Sequence, residues 1–138
     1  MRIIFMGTPT FALPSLEKIY KEHEIISVFT KVDKPNARGK KINYSPIKEF
    51  ALANNLKIYQ PENFKDSSLI EEIRNMQADL IVVVAYGKIL PKEIIDIPKY
   101  GVINLHSSLL PRFRGAAPIN AAIINGDKKS GVSIMYVE

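Results

Sequence analysis

The segment Leu80-Ile81-Val82-Val83-Val84 constrains the fold more strongly than any other part of the chain. Its residues are all apolar and mostly β-branched, and they predict a strand over Asp79–Ala85. A strand that is apolar on both faces is typical of the centre of a parallel sheet that helices cover on both sides. The sequence therefore favours an α/β architecture.

Strand-like apolar segments alternate with helical patterns along the rest of the chain. The other predicted strands are Arg2–Met6, Glu24–Thr30, Lys57–Gln60 and Gly101–His106, and residues 131–137 begin another. The predicted helices contain Phe11 to Tyr20, Pro46 to about Asn55, Asp66–Met76, Pro91–Asp96 and Ala116–Asn125, and residues 31–44 are predicted to be a long polar loop. The alternation predicts a doubly wound, mostly parallel open sheet with helices on both faces, of Rossmann-like type.

Length and composition exclude several classes of protein. The 138 residues correspond to one domain, and 46% of them are hydrophobic, as in an ordinary globular protein. The absence of cysteine excludes disulfides and thiolate metal sites, and with only two histidines we expect no metal. No apolar run approaches the length that spans a bilayer, so we expect a cytoplasmic protein without membrane contact. We also expect a monomer.

The basic residues are concentrated in one segment. Residues 31–48 contain six lysines and arginines against Asp33 alone, which accounts for the net charge of +5 of the whole chain. A local cluster on an otherwise balanced protein favours contact with a polyanion at one place. A solvated surface loop explains the charge alone equally well.

A pair of polar residues lies at the end of the predicted strand Gly101–His106. Asn104 and His106 are two residues apart, so their side chains lie on the same face of the strand. In a doubly wound sheet, ligands bind outside the carboxyl ends of the strands. The pair suits a reaction in which an oxyanion develops and a proton moves, because a neutral amide stabilises an oxyanion and an imidazole accepts and donates protons. For such a pair alone, a purely structural role is the more common case.

The string that begins at His106 resembles the signature of the formyltransferases that use 10-formyltetrahydrofolate. It reads His106-Ser-Ser-Leu-Leu-Pro111, followed by Arg114-Gly115 and Pro118. Gly7-Thr8-Pro9 with Phe11-Ala12 is similar to the first strand–helix turn of that family, and Val82 to Pro91 is similar to the segment that lines its folate pocket. The resemblance covers essentially the whole chain.

The resemblance implies roles for several residues. Asn104 and His106 fall on the family's catalytic Asn and His: Asn104 stabilises the oxyanion, and His106 stabilises the intermediate and assists proton transfer to the leaving folate nitrogen. The implied folate-binding residues are Tyr86, Gly87, Lys88, Ile89 and Leu90. The family's catalytic Asp has no counterpart before Glu138. We therefore expect residues 1–138 to be a truncated N-terminal catalytic domain, without the C-terminal barrel domain of the tRNA-specific members and inactive alone.

The basic loop bears on the identity of the acceptor substrate. Arg38, Lys40 and Lys41 resemble the insertion with which the tRNA-specific members of the family hold the acceptor stem. The resemblance thus implies formyl transfer from 10-formyltetrahydrofolate to the methionine amine of initiator methionyl-tRNA, in translation initiation. Two alternatives stay open: a formyltransferase acting on an amino sugar nucleotide or another small amine, and a non-catalytic RNA-binding α/β module.

Overall fold

The computed structural model describes residues 1–35, 42–106 and 133–138. Within these ranges the strands are β1 (Arg2–Gly7), β2 (Glu24–Phe29), β3 (Lys34–Pro35), β4 (Ile42–Asn43), β5 (Ile58–Tyr59), β6 (Leu80–Val84), β7 (Val102–His106) and β8 (Ser133–Tyr136). The helices are α1 (Leu13–Glu22), which follows a 3-10 turn over Thr10–Ala12, then α2 (Pro46–Ala53), α3 (Ser67–Asn75) and α4 (Lys92–Ile95). No helix in the described part of the chain is long and apolar enough to cross a membrane.

One open sheet of six strands is the centre of the fold, in the order β5-β2-β1-β6-β7-β8. All neighbouring strands are parallel except β7 and β8, which are antiparallel. The predicted mostly parallel open sheet is confirmed, with β6 near its centre. Because parallel strands share one direction, the last residues of β1, β2, β6 and β7 lie at one edge of the sheet. These residues are Gly7, Phe29, Val84 and His106. We call this the carboxyl edge.

Helices cover both faces of the sheet, as predicted. Alternate residues of β1 enter different core layers: Phe5 packs in the layer that contains the buried side chains of α1 and α2, and Met6 in the layer of α3 and α4. All five residues of β6 are buried, which agrees with a strand that is apolar on both faces. Because side chains alternate along a strand, each strand contributes side chains to two separate hydrophobic cores.

The starts of α2 and α3 follow from side-chain capping. The Ser45 hydroxyl accepts a hydrogen bond from the Lys48 amide at 3.0 Å, and Pro46 occupies the first helical turn. Asp66 caps α3 in the same way through the Ser68 amide at 2.9 Å. The predicted helix start at Ser45-Pro46 is confirmed. Ser45 Oγ also lies 2.8 Å from Thr30 Oγ1, so the start of α2 is held against the end of β2.

The prediction of a long loop over residues 31–44 was wrong in one respect. Lys34 pairs with Asn43 and Pro35 with Ile42 in the antiparallel hairpin of β3 and β4. Two-residue strands leave no periodic pattern, and a proline argues against a strand except at an edge, so this hairpin has no recognisable signal in the sequence. The predicted helix Ala116–Asn125 lies outside the described residues.

Tyr86 is a core residue of the layer formed by α3 and α4. It is 1% exposed, and its ring meets that of Phe64 edge-on with centroids 6.3 Å apart. Its hydroxyl is buried and has no hydrogen-bond partner among the described residues. Burial raises the pKa of the Tyr86 hydroxyl well above that of a solvated tyrosine, so the group stays neutral.

This packing predicts opposite effects for two substitutions of Tyr86. Tyr86→Phe is expected to preserve or raise the free energy of unfolding, because it removes a buried hydroxyl that lacks a partner and keeps the ring. Tyr86→Ala is expected to lower it by roughly 3–5 kcal/mol, since it removes a ring from the core. Urea unfolding followed by circular dichroism measures both. A loss above about 1 kcal/mol in the Phe variant would show that the hydroxyl has a stabilising partner.

Candidate active site

The Thr8 side chain joins three loops at the carboxyl edge. Its hydroxyl donates a hydrogen bond to the Tyr86 carbonyl after β6 at 3.0 Å and accepts one from the Lys31 amide after β2 at 3.3 Å. Gly7 leaves no room for a larger residue just before it, because a Cβ there would lie 2.7 Å from the Val84 carbonyl oxygen. The loops after β1, β2 and β6 are therefore held close together.

Asn104 and His106 lie at the carboxyl end of β7, and both are half-buried. The intervening residues Ile103 and Leu105 pack in the layer of α1 and α2, whereas Val102 packs in the layer of α3 and α4. By the alternation of a strand, Asn104 and His106 share the face of Val102. Their predicted placement on one face at a strand end is confirmed, and their catalytic roles stay a prediction.

The five residues predicted to bind folate differ in their surroundings. Tyr86 and Leu90 are buried in the core, so their side chains support the carboxyl edge from within. The Lys88 ammonium donates a hydrogen bond to the Glu62 carbonyl at 2.6 Å. Ile89 is 94% exposed and is the apolar side chain of this segment that a ligand can reach. Folate binding by the segment stays a prediction.

Gly87, the remaining member of that set, lies directly against the Lys31 side chain. Its φ of +86° lies in the left-handed region that favours glycine. A Cβ at this position would lie 2.2 Å from Lys31 Cε, because the Lys31 side chain rests on the glycine. The contact brings a cation to the carboxyl edge, which sequence reasoning missed, since it treated Lys31 only as part of the basic cluster.

An open cleft of about 380 Å³ separates the carboxyl edge from the β3–β4 hairpin, and we call it the hairpin cleft. Its lining residues are Thr8, Lys31, Val32, Asp33, Lys34, Pro35, Asn43, Tyr44 and Ser45. The predicted tRNA-binding residues Arg38, Lys40 and Lys41 lie outside the described residues. Pro35 and Ile42, which flank that segment, are paired in the hairpin.

A polar network around Asp33 attaches the hairpin to the main sheet. Asp33 Oδ2 lies 2.6 Å from Lys48 Nζ of α2, and Gln60 Nε2 donates to Asp33 Oδ1 at 2.8 Å and to the Lys31 carbonyl at 3.0 Å. Lys48 Nζ also lies 3.9 Å from the centroid of the Tyr44 ring. The hydrogen bond from Lys48 lowers the pKa of the Asp33 carboxyl.

Removal of this carboxylate tests whether the network is structural. Asp33→Ala is expected to lower the free energy of unfolding by about 1.5–3 kcal/mol, because Lys48 and Gln60 lose a shared charged acceptor. Since the pKa of Asp33 is lowered, its contribution is present at neutral pH and is lost only as the pH falls through that lowered pKa. Chemical denaturation at pH 7 measures the loss.

Glu24→Ala provides the matched control. The Arg2–Glu24 ion pair also has a distance of 2.6 Å, but its side chains are 48% and 61% exposed against 13% and 21% for Lys48 and Asp33. An exposed pair contributes about 0–1 kcal/mol. Equal destabilisation by the two alanine variants would contradict a special role for Asp33.

The fold and this edge define a doubly wound α/β domain with a polar site at the carboxyl ends of its strands. A profile of the formyl transferase family matches residues 1–138. The chain belongs to the formyl transferase family.

Sequence relatives share the whole of the chain. It is 95% identical over 138 residues to a protein of Fusobacterium nucleatum subsp. nucleatum named methionyl-tRNA formyltransferase, and it covers 44% of that protein. Proteins of the same name from Alkaliphilus oremlandii and Clostridium tetani are 55% and 58% identical over 139 aligned positions, with 45% of each covered. The chain thus spans less than half the length of the curated relatives it matches.

Solved structures share the fold. A phosphoribosylglycinamide formyltransferase from Bacillus halodurans has a TM-score of 0.68 at 20% identity, covering all of this chain and 72% of that one. A formyltetrahydrofolate deformylase from Pseudomonas syringae pv. tomato has a TM-score of 0.67 at 24% identity, covering 99% of this chain and 46% of that one. At these identities the likeness establishes the architecture alone.

Proposed function

We propose that this chain forms the N-terminal catalytic domain of an enzyme that transfers a formyl group from 10-formyltetrahydrofolate to the methionine amine of initiator methionyl-tRNA. The observation that carries the proposal is the 95% identity, over the whole chain, to a protein named methionyl-tRNA formyltransferase. The geometry supports it, because Asn104 and His106 share one strand face at the carboxyl edge, where sheets of this class bind ligands.

The proposed chemistry assigns one task to each residue of the pair. Formyl transfer forms a bond from the amine nitrogen to the formyl carbon and breaks the bond from that carbon to the folate nitrogen. Negative charge develops on the formyl oxygen, to which the Asn104 amide donates a hydrogen bond. The amine loses a proton and the folate nitrogen gains one, and the His106 imidazole assists this transfer. Half-burial strengthens both interactions relative to water.

The proposed binding segment for the formyl donor is the loop after β6. The bond from Thr8 to the Tyr86 carbonyl and the left-handed conformation of Gly87 fix its backbone. Ile89 offers an exposed apolar surface to a flat heterocycle, while Leu90 anchors the segment in the core. Lys88 fixes the outer side of the loop through the Glu62 carbonyl.

We propose that the basic segment between β3 and β4 binds the acceptor tRNA. Arg38, Lys40 and Lys41 belong to the region that accounts for the whole net charge, and each phosphate they neutralise releases counterions. The hairpin that carries them is attached beside the carboxyl edge by the Asp33 network. Support for this role comes from charge and from the position of the flanking hairpin.

Substitution of the polar pair tests the proposed chemistry. His106→Ala and Asn104→Ala in the full-length protein are each expected to lower the rate of methionyl-tRNA formylation by at least about 100-fold, since removal of one oxyanion donor costs about 10²–10³ in rate. His23→Ala and Asn75→Ala are the matched controls, because both residues are exposed and lie where α1 and α3 end, before β2 and β6 and away from the carboxyl edge. A kcat near that of the wild type in either folded test variant would contradict the assignment.

Neutralisation of the basic loop tests whether the loop binds tRNA. Combined Arg38→Ala, Lys40→Ala and Lys41→Ala is expected to weaken tRNA binding, to reduce the log–log salt slope by about one for each phosphate that is no longer neutralised, and to leave folate binding unchanged. The control removes the same charge elsewhere, through alanine at the exposed residues Lys18, Lys21 and Lys65. Equal tRNA affinity of the two triple variants would show that the loop is only a solvated surface.

A further inference from the structure

The hairpin cleft presents positive charge that its own carboxylate does not neutralise. Both oxygens of Asp33 are engaged, one by Lys48 and the other by Gln60. Lys31 and Lys34 line the same cleft, and neither has a carboxylate of the described residues within salt-bridge distance. The cleft is therefore suited to an anionic group such as a phosphate.

An exposed aromatic ring lines the same cleft. Tyr44 is 46% exposed, although a tyrosine ring gains from burial. Lys48 Nζ lies 3.9 Å from its centroid, and Lys48 is itself held by Asp33, so the ring has a fixed neighbour on one side. Proteins bind single-stranded nucleic acid with a combination of cations and exposed aromatic rings. The cations contact the phosphate backbone, and a ring stacks on a base.

The cleft also connects the two regions that a tRNA substrate must reach. Lys34 and Asn43 belong to the hairpin that flanks the basic loop. Thr8 and Lys31 belong to the carboxyl edge, where their hydrogen bond joins the loops after β1 and β2. A ligand in the cleft therefore contacts both regions at once.

We propose that the hairpin cleft is a subsite for a nucleotide of the single-stranded 3′ end of tRNA, with a base stacked on Tyr44 and its phosphate held by Lys31 and Lys34. This inference rests on the proposed function and adds a contact to the acceptor end that is separate from the basic loop. Stacking is tolerant of base identity, so the subsite positions the strand and does not read its sequence.

The test compares two RNAs and two substitutions of Tyr44. Binding of the full-length protein is measured with complete methionine tRNA and with the same tRNA lacking its unpaired 3′-terminal nucleotides. Tyr44→Ala is expected to weaken binding of the complete tRNA by about 10-fold and that of the shortened tRNA by less than about 2-fold. Tyr44→Phe keeps the ring and is expected to bind both RNAs as the wild type does.

Charge is tested in the same assay. Lys31→Met is expected to weaken binding of the complete tRNA and to reduce its log–log salt slope by about 0.7, the value for one neutralised phosphate of a single strand. Tyr100→Ala and Lys99→Met are the controls. Tyr100 is also exposed, at 51%, and Lys99 Nζ lies 5.3 Å from the centroid of its ring. Both residues come just before β7, so they lie at the opposite edge of the sheet. Both are expected to bind like the wild type.

The outcomes separate this inference from the proposed function. If the wild type formylates complete tRNA while Tyr44→Ala and Lys31→Met bind like the two controls, the subsite is wrong and the proposed function stands. If Tyr44→Ala weakens binding of both RNAs equally, the assignment to the single-stranded end is overturned. If the wild type neither binds nor formylates methionine tRNA, both proposals fail. Thermal unfolding verifies that each variant is folded.

Discussion

β1 hydrogen-bonds in parallel to β2 on one side and to β6 on the other, and the placement of the site depends on this double pairing. Its residues Ile3–Met6 are at most 2% exposed, and a buried side chain of this kind contributes about 1.5–3 kcal/mol. The pairing with β6 is continuous from Ile3 to Gly7, whereas the pairing with β2 has an irregularity between Ile3 and Ile4. Thr8 consequently emerges beside the loops after β2 and β6, where it bonds to both.

Parallel pairing continues from β6 to β7 and brings the polar pair to the same edge. Asn104 lies opposite Val83, one position before the end of β6. The loop proposed to bind the formyl donor begins there, and the hairpin cleft opens on the side of β2. In the proposed function, the donor is bound by the loop after β6, next to β7, and the acceptor approaches from the side of β2, across β1. The buried strands supply rigidity that a loop alone would not give to these side chains.

Much of this fold could be predicted from local patterns in the sequence. The apolar run in β6, the cap at Ser45-Pro46 and the two-residue spacing of Asn104 and His106 are short-range features whose physical meaning does not depend on the rest of the chain. Each of these local predictions agrees with the structure.

Contacts between distant residues could not be predicted in this way. The Asp33–Lys48–Gln60 network joins residues 15 and 27 positions apart, and composition reveals only that one acid lies among many bases. A tyrosine in a motif carries no sign of whether its ring faces a ligand or the core, and Tyr86 faces the core. The contact between Gly87 and the Lys31 side chain is likewise visible only in the folded chain.

The central claim is that the carboxyl edge catalyses formyl transfer to an amine carried by tRNA. Its most direct test is the ratio of kcat/KM for two acceptors of the full-length protein, methionyl-tRNA and a small amine such as an amino sugar nucleotide, with 10-formyltetrahydrofolate as donor. The account predicts formylation of methionyl-tRNA with a kcat/KM at least about 1,000-fold above that for the small amine, since the contacts with the tRNA contribute only for that acceptor. Equal or greater kcat/KM for the small amine, or no formyl transfer to either acceptor, would contradict it.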